Sequence, residues 1–265
     1  MSEKSAIVRC WASALDECSQ DQSREHLISA SLFPGAKAIS VSGFPWCKSE
    51  TRMIGLANLT SKILCTKHNS LLSPLDVAAG NTFRKLNESA ILSNKRLSIQ
   101  SSKFKVRHFH LDGLKLERWL LKTLINLCNN TEYFLEPNLK IPGVPSQHQT
   151  QICFGKAPFL GKSGLYLTTR QGTEIDSRTE IGFSPIIEEK EKIVVGGFFH
   201  FRGFLFFLSL MEEIPNNFDW INSLGPWSGT QPSWHFNKMT FVINNVRSHF
   251  VHFDWKWMIE VVISV

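Results

Sequence analysis

Residues that could bind a soft metal ion occur in two short stretches of the N-terminal part of the sequence. Cys65 and His68 are separated by two residues, so both side chains could reach one Zn²⁺ from a single turn. Cys10 and Cys18 lie upstream with a wider spacing, and they could complete a Cys₃His site. Cys47 is an alternative to Cys18, and the sequence leaves that choice open. We therefore expect one structural Zn²⁺ in this part of the chain.

A second set of residues could bind a hard divalent ion and activate water. Glu25 and His26 are adjacent, and Asn69 and Asp76 follow the second pair of zinc ligands. Asn69 and Asp76 are seven positions apart, which places both on one face of a helix. The carboxylates of Glu25 and Asp76 could hold Mg²⁺ or Mn²⁺, because these ions prefer oxygen ligands. His26 beside such an ion could remove a proton from a water molecule that attacks a phosphodiester.

The order of these residues resembles the HNH endonuclease family in its zinc-supported ββα-metal form. The resemblance rests on the series Cys10…Cys18…Glu25-His26…Cys65-x-x-His68-Asn69…Asp76, and it covers about the first 80 residues. It implies that His26 is the general base and that Asn69 braces the loop. It also implies that Glu25 and Asp76 hold the catalytic ion. The structural zinc set that it implies consists of Cys10, Cys18, Cys65 and His68. The segment between His26 and Cys65 is longer than in compact members, and Asp76 stands where the family name has a histidine.

The elements that must position these residues can be read from the surrounding pattern. Pro74 is tolerated only in the first turn of a helix, so a helix beginning near Ser73 is expected. The most regular helical pattern follows Asp112, a suitable N-cap, and stops at Asn129. After residue 150, β-branched and aromatic runs separated by Gly and Asn predict a mostly antiparallel sheet. These runs occupy residues 163–169, 191–210, 238–257 and 258–265.

The whole chain has a formal net charge of +6, and the positive charge is concentrated in its N-terminal part. Residues 1–150 carry 19 Lys+Arg against 12 Asp+Glu, or +7, and residues 151–265 carry 10 against 11, or −1. Within this part, residues 83–109 form a basic segment that suits the phosphate backbone of a nucleic acid. The alternative is a solvated surface without a nucleic-acid partner. The residues expected to contact DNA are Arg84, Lys85, Lys95, Arg96, Lys103, Lys105 and Arg107.

The sequence therefore predicts an α+β protein with three consecutive parts. These are a zinc-braced, HNH-like ββα module at 1–90, a basic segment with a linking helix at 91–145, and a β-rich accessory domain at 146–265. Because no signal-peptide pattern or membrane-spanning apolar run is present, we expect a cytoplasmic protein without a membrane partner.

The expected function is metal-dependent hydrolysis of DNA phosphodiester bonds. The C-terminal domain would bind a protein partner or a signal, as in effectors of bacterial anti-phage defence, and that expectation rests on family analogy. The alternative is a non-catalytic zinc-knuckle module that binds nucleic acid or protein.

Overall fold

The computed structural model describes residues 10–44, 47, 50–97, 107–129, 131–139, 141–167, 181–201, 204–213, 241–242 and 250–254. These residues form helices and mainly antiparallel strands, which is the expected α+β class. The chain separates into two compact units, each assembled from non-consecutive segments. Unit 1 comprises Met1–Gly80, Arg118–Pro158 and Glu188–Ile193, and unit 2 comprises Asn81–Glu117, Phe159–Ile187 and Val194–Val265. The two units are thus interleaved along the chain, whereas the domains predicted from the sequence are consecutive.

The predicted metal ligands and catalytic residues lie in unit 1. Its strands are β1 (Gln22–His26), β2 (Ala38–Val41), β3 (Arg52–Gly55) and β4 (Thr60–Cys65). Its helices are the first part of α1 (Thr66–Leu97), most of α2 (Gly113–Cys128) and α3 (Gln147–Cys153). Strand β1 pairs antiparallel with β4, which leads directly into α1, and the β2–β3 hairpin is inserted between them. Two paired strands followed by a helix therefore carry these predicted residues other than Cys10 and Cys18, which precede β1.

Helix α1 begins at Thr66 and contains Pro74 in its interior, so the predicted start near Ser73 is wrong. Pro74 has no N–H to donate to the carbonyl of Ser70, but the hydroxyl of Ser73 donates to that carbonyl over 2.8 Å. The first three N–H groups of α1 also find acceptors outside the helical ladder. These acceptors are the Asp21 carbonyl at 3.0 Å, the Ser19 hydroxyl at 3.2 Å and the Cys65 sulfur at 3.4 Å.

Helix α2 confirms the predicted cap, because the Lys115 N–H donates to Asp112 Oδ1 over 3.0 Å. Residues 119–126 of this helix are all buried. The buried set includes the predicted apolar stripe, represented by Leu120 and Leu124, but it also includes Lys122 and Asn126. A helix buried on all sides is ordinarily apolar all round, so the two polar side chains must find partners inside the protein.

Unit 2 contains the strand-rich part of the chain. Its strands are β5 (His108–Asp112), β6 (Gly164–Leu167), most of β7 (Ile181–Glu188), most of β8 (Ile193–Phe201), β9 (Phe204–Ser209), β10 (Phe241–Val242) and β11 (Phe250–Asp254). One sheet has the order β6-β9-β8-β7, with the expected antiparallel pairing of β8 and β9. The other has the order β10-β11-β5, and β11 runs parallel to β5, which the sequence did not predict. The predicted strand at 258–265 lies outside the described residues.

Among the helices within the described ranges, none combines the length and the apolar character that a bilayer crossing requires.

Candidate metal centre and adjoining charge network

The four predicted zinc ligands converge in unit 1. The sulfur atoms of Cys10, Cys18 and Cys65 lie 3.3, 3.6 and 3.3 Å from His68 Nδ1. All four ligand atoms lie within 4.8 Å of one another. A tetrahedral ion with Zn–S of ~2.3 Å and Zn–N of ~2.1 Å separates sulfur from nitrogen by about 3.6 Å. The distances in the cluster are close to that value, so this Cys₃His group can bind a metal ion such as zinc.

The local fold explains why these four residues meet. Cys65 ends β4 and His68 lies in the first turn of α1, so the junction between strand and helix presents both ligands on one side. The segment with Cys10 is held against β4, because the Trp11 N–H donates to the Ile63 carbonyl over 3.0 Å. Cys10, Cys65 and His68 are buried and Cys18 is exposed, so one edge of the cluster faces solvent. With four protein ligands, the group has the composition of a closed structural site.

The protonation of the cluster follows from its surroundings. Burial raises the pKa of Cys10 to about 12, and burial also raises the pKa of Cys18. Burial acts in the same direction on Cys65, but hydrogen bonds from His68, Ser19 and Cys10 lower its pKa to about 7. The pKa of His68 is lowered, first by burial and then by the charges of nearby lysines, so the imidazole is neutral at pH 7. A neutral imidazole and one easily ionised thiol are the forms that a metal requires.

The other cysteines stay outside this cluster. Cys47 is buried, and its sulfur lies 3.9 Å from the Val41 carbonyl, so Cys18 and not Cys47 belongs to the metal group. Cys128 and Cys153 are buried thiols whose pKa values are raised by burial, to about 12 for Cys128. They have the character of core side chains.

Glu25 and Asp76 also converge, and the cation between them is the ammonium of Lys122. Lys122 Nζ lies 2.6 Å from Glu25 Oε1 and 2.8 Å from each carboxylate oxygen of Asp76. The side chains of Lys122 and Glu25 are 2% and 4% exposed, and that of Asp76 is 26% exposed. Burial raises the pKa of Glu25, although Lys122 opposes the shift. The two predicted ligands of a divalent ion are therefore bound to a protein cation.

This arrangement does not fit Mg²⁺ or Mn²⁺ while Lys122 is in place. Magnesium requires oxygen atoms at about 2.0–2.1 Å in an octahedron and usually keeps several water molecules. The three oxygen atoms around Nζ are already paired with the positively charged ammonium, and the side chain of Glu25 is almost closed to solvent. Hence the prediction that Glu25 and Asp76 hold a divalent ion has no geometric support in this arrangement.

Two further side chains of α2 extend the network. Asn126 Nδ2 donates to Glu25 Oε1 over 3.1 Å and to the His26 carbonyl over 3.2 Å. Its Oδ1 accepts a hydrogen bond from Trp11 Nε1 over 3.2 Å. Trp119 Nε1 donates to the Ser29 hydroxyl over 2.7 Å, and that hydroxyl donates to Asp76 Oδ1. We call this set the charge network; its members are Glu25, Ser29, Asp76, Trp119, Lys122 and Asn126.

His26 and Asn69 lie at opposite ends of the β1–β4 pair. His26 ends β1 opposite Thr60, and its side chain is half-buried. Asn69 lies in the first turns of α1, and its Nδ2 donates to the Ser23 hydroxyl over 2.6 Å. The amide thus connects α1 with β1, and the predicted bracing of the loop by Asn69 stays a prediction.

The predicted DNA-contacting residues fall only partly within the described structure. Arg84 and Lys95 are exposed on α1, Lys85 donates to the His110 carbonyl, and Arg107 is exposed just before β5. Arg84 is engaged on its own helix, 2.9 Å from Glu88 Oε1. Lys103 and Lys105 lie outside the described residues, and so does the side chain of Arg96.

Sequence reasoning missed Lys122, Asn126 and Trp119 as parts of a polar network. The spacing of 119, 122 and 126 places them on one face of α2. A usable signal was present, because Lys122 lies among Leu120, Leu121 and other apolar residues without an acid one helical turn away. A lysine in that setting is expected to find its partner elsewhere in the fold.

Comparisons with models of protein families, with curated proteins and with solved structures find no match to this chain.

Proposed function

We propose that the first part of unit 1 is a zinc-braced phosphodiesterase module of the HNH type that acts on DNA. The observation that supports this proposal most strongly is the arrangement of β1, β4 and α1 around the Cys₃His group. Two antiparallel strands lead into a helix, the metal ligands lie at the strand–helix junction, and His26 ends the first strand. This is the order of elements and residues that the HNH resemblance implies.

In the proposed reaction the imidazole of His26 removes a proton from water, which attacks the phosphorus atom. The bond from phosphorus to the leaving sugar oxygen then breaks, that oxygen takes up a proton from solvent, and His26 returns its proton to solvent. Zinc, when bound, joins the N-terminal segment to the start of α1 and takes no part in this step. Asn69 maintains the spacing of β1 and α1 through Ser23, and Asn126 holds the backbone of His26 through its carbonyl.

The partner proposed for this module is the backbone of DNA. Arg24 and Lys62 are exposed on β1 and β4 of unit 1. The expected basic segment has Arg84, Lys95 and Arg107 in exposed positions, and it belongs to unit 2, so it is proposed as a separate contact to DNA. Contacts to phosphates position a protein without reading bases, so binding should weaken steeply with added salt. Defence against phage and a protein partner for the C-terminal part belong to the same proposal by analogy alone.

A second candidate function is a non-catalytic zinc module that binds nucleic acid or protein. The ammonium of Lys122 favours this candidate, because it is already paired with both acids that the HNH resemblance assigns to the catalytic ion. Under this candidate His26 is an ordinary side chain at the end of a strand. The zinc group and the folded module would be the same in both cases.

Cleavage of supercoiled plasmid DNA by the zinc-loaded full chain separates the two candidates. In the presence of Mg²⁺ or Mn²⁺, His26→Ala should reduce the cleavage rate by about 10²–10⁴-fold, the usual contribution of a general base. His110→Ala is the matched control, because His110 is an exposed histidine of β5 in unit 2. Equal cleavage by wild type and His26→Ala would refute the proposal. DNA binding without cleavage under any metal would establish the second candidate.

A further inference from the structure

The ammonium of Lys122 has a complete set of partners. An ammonium has three N–H donors, and the three oxygen atoms around Nζ belong to Glu25 and Asp76, at 2.6, 2.8 and 2.8 Å. The group therefore needs no water or external ligand. The two acids that surround Nζ are therefore the same two that were predicted to bind the divalent ion.

Neutral donors also contact the two acids. Asp76 accepts a hydrogen bond from Ser29, and Glu25 accepts one from Asn126. Two carboxylates and one ammonium leave a formal charge of −1, and these neutral donors stabilise that excess. A buried charge without such partners is strongly destabilising, so these contacts explain how Lys122 and Glu25 remain inside the fold.

We infer that Lys122 is the resident cation of the Glu25–Asp76 pair, so that the pair becomes a binding site for a hard metal ion only when this ammonium is removed. Shortening Lys122 to alanine would leave two carboxylates facing a space without a positive charge. Hard ions prefer such oxygen atoms, and Asp76 is the more exposed of the two acids and would provide access. The inference rests on the proposed function and deepens it, because it excludes this pair as the site of the divalent ion that the HNH resemblance assigns to the reaction.

Terbium luminescence can test this inference, because the indole of Trp119 lies next to the pair. Trp119 contacts Ser29, and Ser29 contacts Asp76, so Tb³⁺ bound between the two acids should be excited through the indole. In zinc-loaded full-length protein, Lys122→Ala should gain about one Tb³⁺ per chain with tryptophan-sensitised emission. The wild type should show no saturable emission of this kind.

Two double variants identify the site. Lys122→Ala combined with Asp76→Asn should lose the gained emission, because one of the two carboxylates is removed. Lys122→Ala combined with Asp21→Asn should keep it, because Asp21 is an exposed acid of the same unit outside the charge network. Saturable emission from the wild type that Asp76→Asn abolishes would overturn the inference. A folded Lys122→Ala that gains no Tb³⁺ would overturn it equally.

A second measurement covers the case in which Lys122→Ala does not fold. Melting temperatures of the wild type and Asp76→Asn are compared with and without millimolar Mg²⁺, in the presence of zinc. We expect Mg²⁺ to change the melting temperatures of both proteins equally, because the ammonium of Lys122 excludes Mg²⁺ from Glu25 and Asp76. A Mg²⁺-dependent rise seen in the wild type and absent in Asp76→Asn would contradict the inference. Neither measurement involves cleavage of DNA, so the outcomes of both are independent of whether the proposed phosphodiesterase activity exists.

Discussion

Binding of zinc to the Cys₃His group should release a defined number of protons. Each cysteine must lose its proton to become a ligand, whereas a neutral histidine loses none. At pH 7 the thiols of Cys10 and Cys18 are protonated, because their pKa values are raised, to about 12 for Cys10. Cys65, with a pKa of about 7, is half ionised. His68 is already neutral because its pKa is lowered.

The expected release at pH 7 is one proton from Cys10, one from Cys18 and about half from Cys65, or about 2.5 protons per zinc ion. At pH 6 Cys65 is largely protonated as well, and the release approaches about 3 protons. The apparent affinity should therefore fall about 300- to 1000-fold between pH 7 and pH 6, which is ~3.4–4.1 kcal/mol. Stability contributed by zinc is present at neutral pH and is lost as the pH falls.

Calorimetric titration of metal-free protein in buffers of different ionisation enthalpy measures this number directly. Cys18→Ser should lower the release at pH 7 by about one proton and weaken zinc binding. Cys47→Ser is the matched control, because Cys47 is a buried cysteine outside the cluster, and its release should equal that of the wild type. A wild-type release of one proton or fewer, or a change caused by Cys47→Ser, would refute the assignment of ligands.

Three further substitutions test the charge network and the backbone of unit 1. Because the folded state raises the pKa of Glu25 above 4.5, the stability contributed by Glu25 is present below that pH and is lost as the pH rises. The free energy of unfolding of the wild type minus that of Glu25→Gln should therefore fall between pH 4.5 and neutrality in denaturant titrations; a rise would contradict it. Gly143→Ala should cost more than about 2 kcal/mol, because φ is +69° and a Cβ would lie 2.5 Å from Asn129 Cα. Gly35→Ala, with φ +80° and open space, should cost only about 1–2 kcal/mol, and equal losses would show that the close contact is unimportant.

The metal group could be predicted from the sequence because the residue types of its ligands and the spacing of one ligand pair indicate it. Cys65 and His68 are separated by two residues, which is a spacing that lets both side chains reach one zinc ion, and two upstream cysteines complete the set. The choice between Cys18 and Cys47 could not be made, because it depends on how the loop before β1 returns to the start of α1. The structure resolves it through the 3.6 Å distance from Cys18 to His68.

The charge network could not be predicted, because its partners come from distant parts of the chain. Lys122 and Asp76 are 46 positions apart, and Asn126 and Glu25 are 101 positions apart. Local patterns show that α2 is a helix, but not which acids meet its buried lysine. The same reason explains the start of α1, which depends on acceptors at Ser19 and Asp21. Hydrogen bonds from remote segments override local propensity in both cases.

The separation of the metal ligands along the chain would give a bound zinc ion a part in the order of folding. Cys65 and His68 are three positions apart, so an unfolded chain can bind the ion with this pair at little entropic cost. Cys18 is 50 positions from His68, and its capture closes a loop that contains β1 through β4. By the chain-entropy relation for cross-links, a loop of this length restricts the unfolded ensemble by about 4 kcal/mol. Zinc, when bound, would therefore act as a reversible cross-link that encloses the strand pair carrying His26, and its removal would free the whole loop.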